Sequence, residues 1–298
     1  MDWCPRCAFV PSGAGSTCSR CGLFLDRLLG AAEWRGELSH QADWDGIDKE
    51  DLLIIAPDSS GDTFERSRHL NVLTERGVNW HLVADANIIP LLKEMFPKGR
   101  FTPFGSELPK FRSWTWLMEG LKGFSPGRPE PATIVVPEHW KKDFSVTSPS
   151  VGVCFRAAER YDWVKFRFIE DRGVEQITQL PNIDWISLQY GEQKPPGGLR
   201  IPPFGPWHQT AGLIATLDAV ISADTAIAHL CAILRKPCIV LHGTANTSVT
   251  EYADYNNLYP TSPFKQFVPT YGGFEGGRPS WKKFIDWANK TPEWWKQV

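Results

Sequence analysis

The stretch His208–Gly243, HQTAGLIATLDAVISADTAIAHLCAILRKPCIVLHG, constrains the fold more than any other part of the chain. Ala219-Val220-Ile221-Ser222 is short, apolar and β-branched at its centre, the pattern of a strand buried on both faces. Ser222, Asp224 and Thr225 crowd the point where the chain must turn, and each is able to cap the helix that follows. Ile227, Leu230, Cys231 and Leu234 then recur at helical spacing. Lys236-Pro237 ends that helix, and Cys238-Ile239-Val240-Leu241 reads as the next strand. A capped helix N-terminus at the carboxyl end of a parallel strand gathers unpaired amides and a positive dipole end, so this turn is an anion site in waiting.

The rest of the chain repeats the rhythm. Leu52–Ala56 reads as a buried strand, Pro57–Asp62 as a turn, and Thr63–Arg76 as an amphipathic helix closed by Gly77. Asn79–Val83 and Ile88–Phe96 give a second strand and helix, and Phe101 marks a further short strand. Trp114–Leu121 reads as a helix and Thr133–Val136 as a strand. Pro137–Pro149 is a hinge candidate, after which Val151–Phe155 opens a second α/β half. A helix near Val174–Leu180 leads to the strand Trp185–Leu188, and Ser280 stands as N-cap of a helix over Trp281–Asn289. Strand-turn-helix-strand repetition specifies parallel sheets with crossover helices. The expected organisation is an N-terminal segment 1–28, a connector 29–50, one Rossmann-like domain over 51–145 and a second over 146–298. Two facing domains of this kind hold ligand between the carboxyl ends of their sheets.

With 298 residues the chain can build two ordinary cores. A formal net charge of −2 gives no global attraction to nucleic acid or anionic membrane. Tryptophan is abundant at fourteen residues, with clusters at 114–116, 281–287 and 294–295, and most are expected to be packing residues. MDWCPRC offers neither a basic n-region nor an apolar h-region, and Asp218 and Asp224 interrupt the most apolar run. The expectation is a cytoplasmic protein without membrane insertion.

Four of the seven cysteines form two pairs, Cys4-Pro5-Arg6-Cys7 and Cys18-Ser19-Arg20-Cys21, the second followed by Gly22. Doubled CxxC pairs across a short loop set four thiolates around one tetrahedral structural Zn²⁺, with Gly22 suited to the left-handed backbone of such a knuckle. The bland alternative is a disulfide or redox pair. A segment this short needs the metal to fold. Cys154, Cys231 and Cys238 sit inside apolar elements and read as buried packing residues.

Over roughly residues 51–270 the chain resembles the heptosyltransferase-like glycosyltransferases, especially the branch often fused to tetratricopeptide repeats. The similarity lies in Gly61-Asp62-Thr63 with Arg66, Arg68-His69-Leu70 and Glu75-Arg76-Gly77. It continues in Val151-Gly152-Val153 and Trp185–Gln189, is most specific over Leu217–Leu230, and ends near Tyr259-Pro260-Thr261, Phe264 and Gln266. The chain departs from the family at Asp58-Ser59-Ser60, where a more Gly-rich loop is usual, and in its basic segment Arg156–Arg160 with Lys165-Phe166-Arg167. It has no tetratricopeptide repeats. The resemblance implies the GT-B architecture, a nucleotide-diphosphate sugar bound in the C-terminal half and an acceptor in the N-terminal half. It also implies that Asp62 is the catalytic base, whereas its residue-level alternative is the N-cap of the following helix.

Transfer from such a donor needs a base for the acceptor hydroxyl and a counter-charge for the leaving diphosphate. Thr225, Ala226 and their amides are the expected phosphate contacts, with Ser222 beside them and Asp224 capping or fixing the loop. Arg156, Lys165 and Arg167 are the cationic candidates, there being no metal motif for the chemistry. Gln189 and Tyr190 follow a strand and could meet the nucleotide, as could His208. His229, among apolar neighbours, reads as a core histidine. With Asp62 as direct base the transfer inverts. The acceptor class is open: a glycan, a protein side chain, or a hydroxylated base in DNA, the cysteine module favouring a macromolecule. The rival reading is a catalytically degenerate GT-B scaffold using that module to dock partners. A sugar-nucleotide epimerase would need further acid/base groups.

Overall fold

The computed structural model of the chain describes residues 42–57, 59–117, 121, 129–157, 168–191, 194–203, 205–242, 255–268 and 279–298. These fall into two compact units that divide between Ala132 and Thr133, somewhat before the expected boundary at 145.

The first unit is a five-stranded, all-parallel sheet in the order β1-β5-β2-β3-β4, formed by Ala42–Asp43 (β1), Leu52–Ile55 (β2), Trp80–Ala84 (β3), Arg100–Pro103 (β4) and Ser113–Trp116 (β5). All four residues of β2 have no exposure, as expected for a strand covered on both faces. Helices Ser60–Arg66 (α1), Arg68–Glu75 (α2) and Ile89–Met95 (α3) supply the crossovers. Three expectations are corrected here. The single helix expected over Thr63–Arg76 is two helices broken at Ser67, whose hydroxyl donates to the Phe64 carbonyl. The connector contributes the edge strand β1. The helix expected at Trp114–Leu121 begins instead as β5, with Ser-Trp-Thr-Trp buried beside β2, a placement that suits aromatic and β-branched side chains.

The second unit is again five-stranded and all-parallel, in the order β10-β9-β8-β6-β7. Its strands are Ser150–Cys154 (β6), Asp184–Ser187 (β7), Ala219–Ser222 (β8), Cys238–Leu241 (β9) and Phe264–Phe267 (β10). Thr133–Val136 is not a strand; Ile134 donates one backbone hydrogen bond to Ile233. The hinge candidate contains a short helix, Glu138–Lys141 (α4). It packs on Trp207–Thr216 (α6) so closely that a Cβ at Gly212 would lie 1.9 Å from the Trp140 carbonyl oxygen. Asp171–Ile177 (α5), Ala226–Leu234 (α7), Tyr255–Leu258 (α8) and Ser280–Ala288 (α9) complete the unit. Ser280 is the first residue of α9 rather than its cap, and its hydroxyl donates to the His242 carbonyl at 2.5 Å. Trp185, Trp281 and Trp294 are core residues here, Trp294 meeting Phe284 edge-on at 5.1 Å between ring centroids. Among the described residues no helix is long and apolar enough to cross a membrane.

Candidate functional site

In an open parallel sheet, ligands gather where the strand order reverses, at the carboxyl ends of the two strands flanking the reversal. In the second unit β6 is the first strand, β7 lies on one side of it and β8, β9 and β10 on the other. The reversal therefore falls between β6 and β8, whose carboxyl ends lead into Phe155-Arg156 and Ala223-Asp224-Thr225.

Thr225 is the N-cap of α7: its backbone is extended and its hydroxyl accepts from the Ile227 amide at 3.2 Å. Of the three candidate caps, this residue performs the role. Ser222 has no exposure, donates to the Ala223 carbonyl at 2.7 Å and lies 3.1 Å from the Thr225 hydroxyl, so it shapes the turn from beneath. The Ala228 amide bonds the Thr225 carbonyl at 3.1 Å. The amide of Ala226, first residue of α7, has no partner within the helix by geometry. Asp224 is engaged sideways, accepting from the Tyr255 hydroxyl at 2.6 Å.

Across the reversal, the end of β6 meets this turn directly. The Cys154 thiol is 3.6 Å from the Thr225 hydroxyl, 3.9 Å from Gln189 Oε1 and 3.7 Å from the Arg156 carbonyl. Burial pushes that thiol up to about 11, against the pull of hydrogen bonds from Thr225 and Ser222, so it is a neutral contact at physiological pH. The Gln189 carboxamide oxygen accepts the Arg156 amide at 2.9 Å, tying the ends of β6 and β7 together. The Arg156 guanidinium, partly buried, bonds Asp171 in the first turn of α5 at 2.6 Å and lies over the Phe155 ring at 5.1 Å. Arg156, Gln189, Ser222, Asp224, Thr225 and Ala226 are thus all brought to one end of one sheet. Lys165 and Arg167 lie outside the described residues, as do Cys4, Cys7, Cys18 and Cys21.

The first unit has its own reversal, between β2 and β5. Asp62 stands there, in the first turn of α1. The cap of α1 is Ser59, whose hydroxyl accepts from the Asp62 amide at 3.4 Å. Asp62 is therefore the third helical residue, half-buried, and the capping role that competed with the chemical one belongs to Ser59. Thr63 fixes the turn by donating to the Ser59 carbonyl at 3.0 Å. Arg68 is 3 % exposed and donates to the Glu65 and Pro129 carbonyls, which makes it a packing cation.

Sequence reasoning gave no site role to Asp171 or Tyr255, read Cys154 only as a packing residue and met Tyr259 only within the family-like patch. Asp171 had a local signal, an acidic residue in a helix's first turn. Tyr255 had only its i, i+4 spacing to Tyr259. A separate cavity of about 610 Å³ lies beside the N-terminus of α6 and is lined by His139, Trp140, Lys142, Phe144 and His208 among others. Burial lowers the pKa of His208.

A family model described as Glycosyltransferase family 9 (heptosyltransferase) matches residues 207–262, a segment that includes α6, β8, α7, β9, α8 and Tyr259. No curated protein matches by sequence. Among solved structures, Escherichia coli ADP-heptose LPS heptosyltransferase II is similar at 15% identity and a TM-score of 0.53, over 80% of this chain and 98% of that one. TibC of enterotoxigenic E. coli, an iron-containing dodecameric glycosyltransferase, is similar at 11% identity and a TM-score of 0.56, over 76% of this chain and 64% of its own. TibC in complex with ADP-D-β-D-heptose gives 12% and 0.53, again over 64% of its length. This chain thus spans just under two thirds of TibC. The likeness is one of fold: parallel α/β sheets of the kind found in GT-B heptosyltransferases.

Proposed function

We propose that this protein is a nucleotide-sugar-dependent glycosyltransferase that seats the donor's diphosphate on the Asp224–Ala226 turn. The observation that carries this reading is the meeting of Cys154, Arg156, Gln189 and Thr225 at the strand reversal of the second unit, on the segment that the family model matches. The family match and the fold both support a glycosyltransferase.

On this reading the amide of Ala226 and the N-terminal end of α7 take the diphosphate oxygens, where helix geometry leaves donors and positive partial charge. Arg156, Lys165 and Arg167 are the cations available to offset the leaving group. Asp62 takes the proton of the acceptor hydroxyl as its oxygen bonds to the anomeric carbon, the bond to the diphosphate breaks, and the configuration inverts. Asp62 at the reversal of its own sheet, with capping left to Ser59, supports that role. ADP-heptose, the donor bound by TibC, is the first candidate. The acceptor is a hydroxyl on a glycan, a protein or a modified DNA base. Cys4, Cys7, Cys18 and Cys21 hold a structural Zn²⁺ in a ribbon that favours a macromolecular acceptor.

The test is slow donor hydrolysis across a panel of nucleotide sugars, for wild type and Asp62→Asn. Hydrolysis of one donor, lost in the variant while binding persists, is the expected result. Absence of binding to every donor would favour the scaffold reading.

A further inference from the structure

The cavity of about 610 Å³ beside α6 carries a chemistry that the transfer step does not use. It is walled by α4 with the residues just after it and by the first turn of α6, all within the second unit. Its volume is that of a small-molecule site. No described residue of the turn after β8 lines it.

Trp140 and Phe144 give the cavity apolar ring surface, and Trp140 packs against the His208 ring at 5.4 Å between centroids. Lys142, Asp143, His208 and Gln209 bring donors and acceptors, and none of these four side chains hydrogen-bonds or ion-pairs with another residue. His208 is the most informative of them. Its Nδ1 is buried without a partner, and a proton there would be a buried, unsatisfied donor, the costliest arrangement for the ring. The ring proton therefore sits on Nε2, the nitrogen left to face the cavity. Burial, with a lesser contribution from the neighbouring His139 charge, lowers the His208 pKa, so the ring stays neutral and donates through Nε2.

Lys142 and Asp143 offset one another, so with neutral imidazoles the cavity carries no net formal charge. That balance disfavours a phosphate or carboxylate, which Asp143 would repel. It suits a ligand with an apolar C–H face and a rim of hydroxyls. A hydroxyl donates to Asp143 and accepts from Lys142 or His208 Nε2, and Gln209 serves either way. We propose that this cavity is a saccharide site, taking an uncharged sugar with its C–H face against Trp140 and Phe144 and its hydroxyls on Lys142, Asp143, His208 and Gln209. The inference goes beyond the transferase reading, since it uses neither Asp62 nor the turn after β8.

The test is NMR titration of the full, isotope-labelled chain with neutral mono- and disaccharides of glucose, galactose and mannose, with inorganic phosphate and glucose 6-phosphate as charged comparisons. Saturable binding of a neutral sugar, with shifts at Lys142, Asp143, His208 and Gln209 that persist in excess ADP, is the expected result. Asp143→Ala and His208→Phe should each weaken it by about tenfold, the scale of one hydrogen bond. Asp143 is exposed, so its variant remains a test if His208→Phe does not fold. No neutral sugar bound, undiminished affinity in a folded variant, a preference for phosphate or sugar phosphate, or displacement by ADP would overturn the inference. Sugar held at these residues by a protein that binds no nucleotide sugar would uphold this inference and overturn the transferase reading alone.

Discussion

The Cys154 thiol and the Thr225 hydroxyl, 3.6 Å apart, join the carboxyl ends of β6 and β8 at the point where the strand order of the second sheet reverses. One side chain ends a strand and the other caps a helix, so strand pairing and helix capping converge on a single turn. Because burial holds the thiol near 11, the contact is neutral and dry rather than reactive. Iodoacetamide at pH 8 should therefore modify Cys154 far more slowly in the native protein than in denaturant. Peptide mapping reads the rates, and equal rates would show that the strand ends are not packed as described.

Asp62→Asn keeps shape and helix position while removing the base. Its kcat for transfer should fall by about 10²–10⁴-fold with donor affinity nearly unchanged, the range expected for loss of general-base catalysis. Steady-state kinetics separates the two terms. A parallel loss of donor affinity would instead assign Asp62 to binding.

Much of this arrangement was legible in the sequence, for physical reasons. Val220 and Ile221 sit in a strand with no exposure, and a strand covered on both faces must read as an apolar run. The turn after it needed a capping hydroxyl, and three candidates stood there. Choosing Thr225 among them required backbone geometry, as did moving the cap of α1 from Asp62 to Ser59. Trp114 and Trp116 misled, because an aromatic run suits a helix face or a central strand equally, and only the pairing of β5 with β2 decides between them. Thr133–Val136 had strand composition but pairs with no strand among the described residues. The Tyr255–Asp224 bond spans 31 residues and leaves no local pattern.

Gly212 is an obligate close approach. Its Cβ would meet the Trp140 carbonyl at 1.9 Å, and backbone cannot give way as a flexible side chain does. Gly212→Ala should separate α4 from α6 and lower stability by about 1–3 kcal/mol, despite the gain in helix propensity. Urea unfolding measures it; unchanged stability would contradict the packing of the segment after Thr133 on the second unit.

Burial, with a lesser contribution from the nearby Arg100 charge, lowers His81 to about 4. Its ordinary value is 6.5, so between about 6.5 and 4 the unfolded chain binds the proton that the folded chain refuses. Stability from this residue is complete above 6.5 and is lost as pH falls through that window. Thermal melts should show a decline over pH 6.5–4 that flattens in His81→Gln. An equally steep decline in the variant would remove His81 as its source.

The turn after β8 is tested most directly by titrating isotope-labelled protein with ADP-heptose and a panel of other nucleotide sugars while following backbone amides. Saturable binding of one donor, with the largest shifts at Thr225, Ala226 and Arg156, is the expected result. Binding that leaves those three amides unmoved, or no binding to any donor, would contradict the assignment of this turn as the diphosphate site.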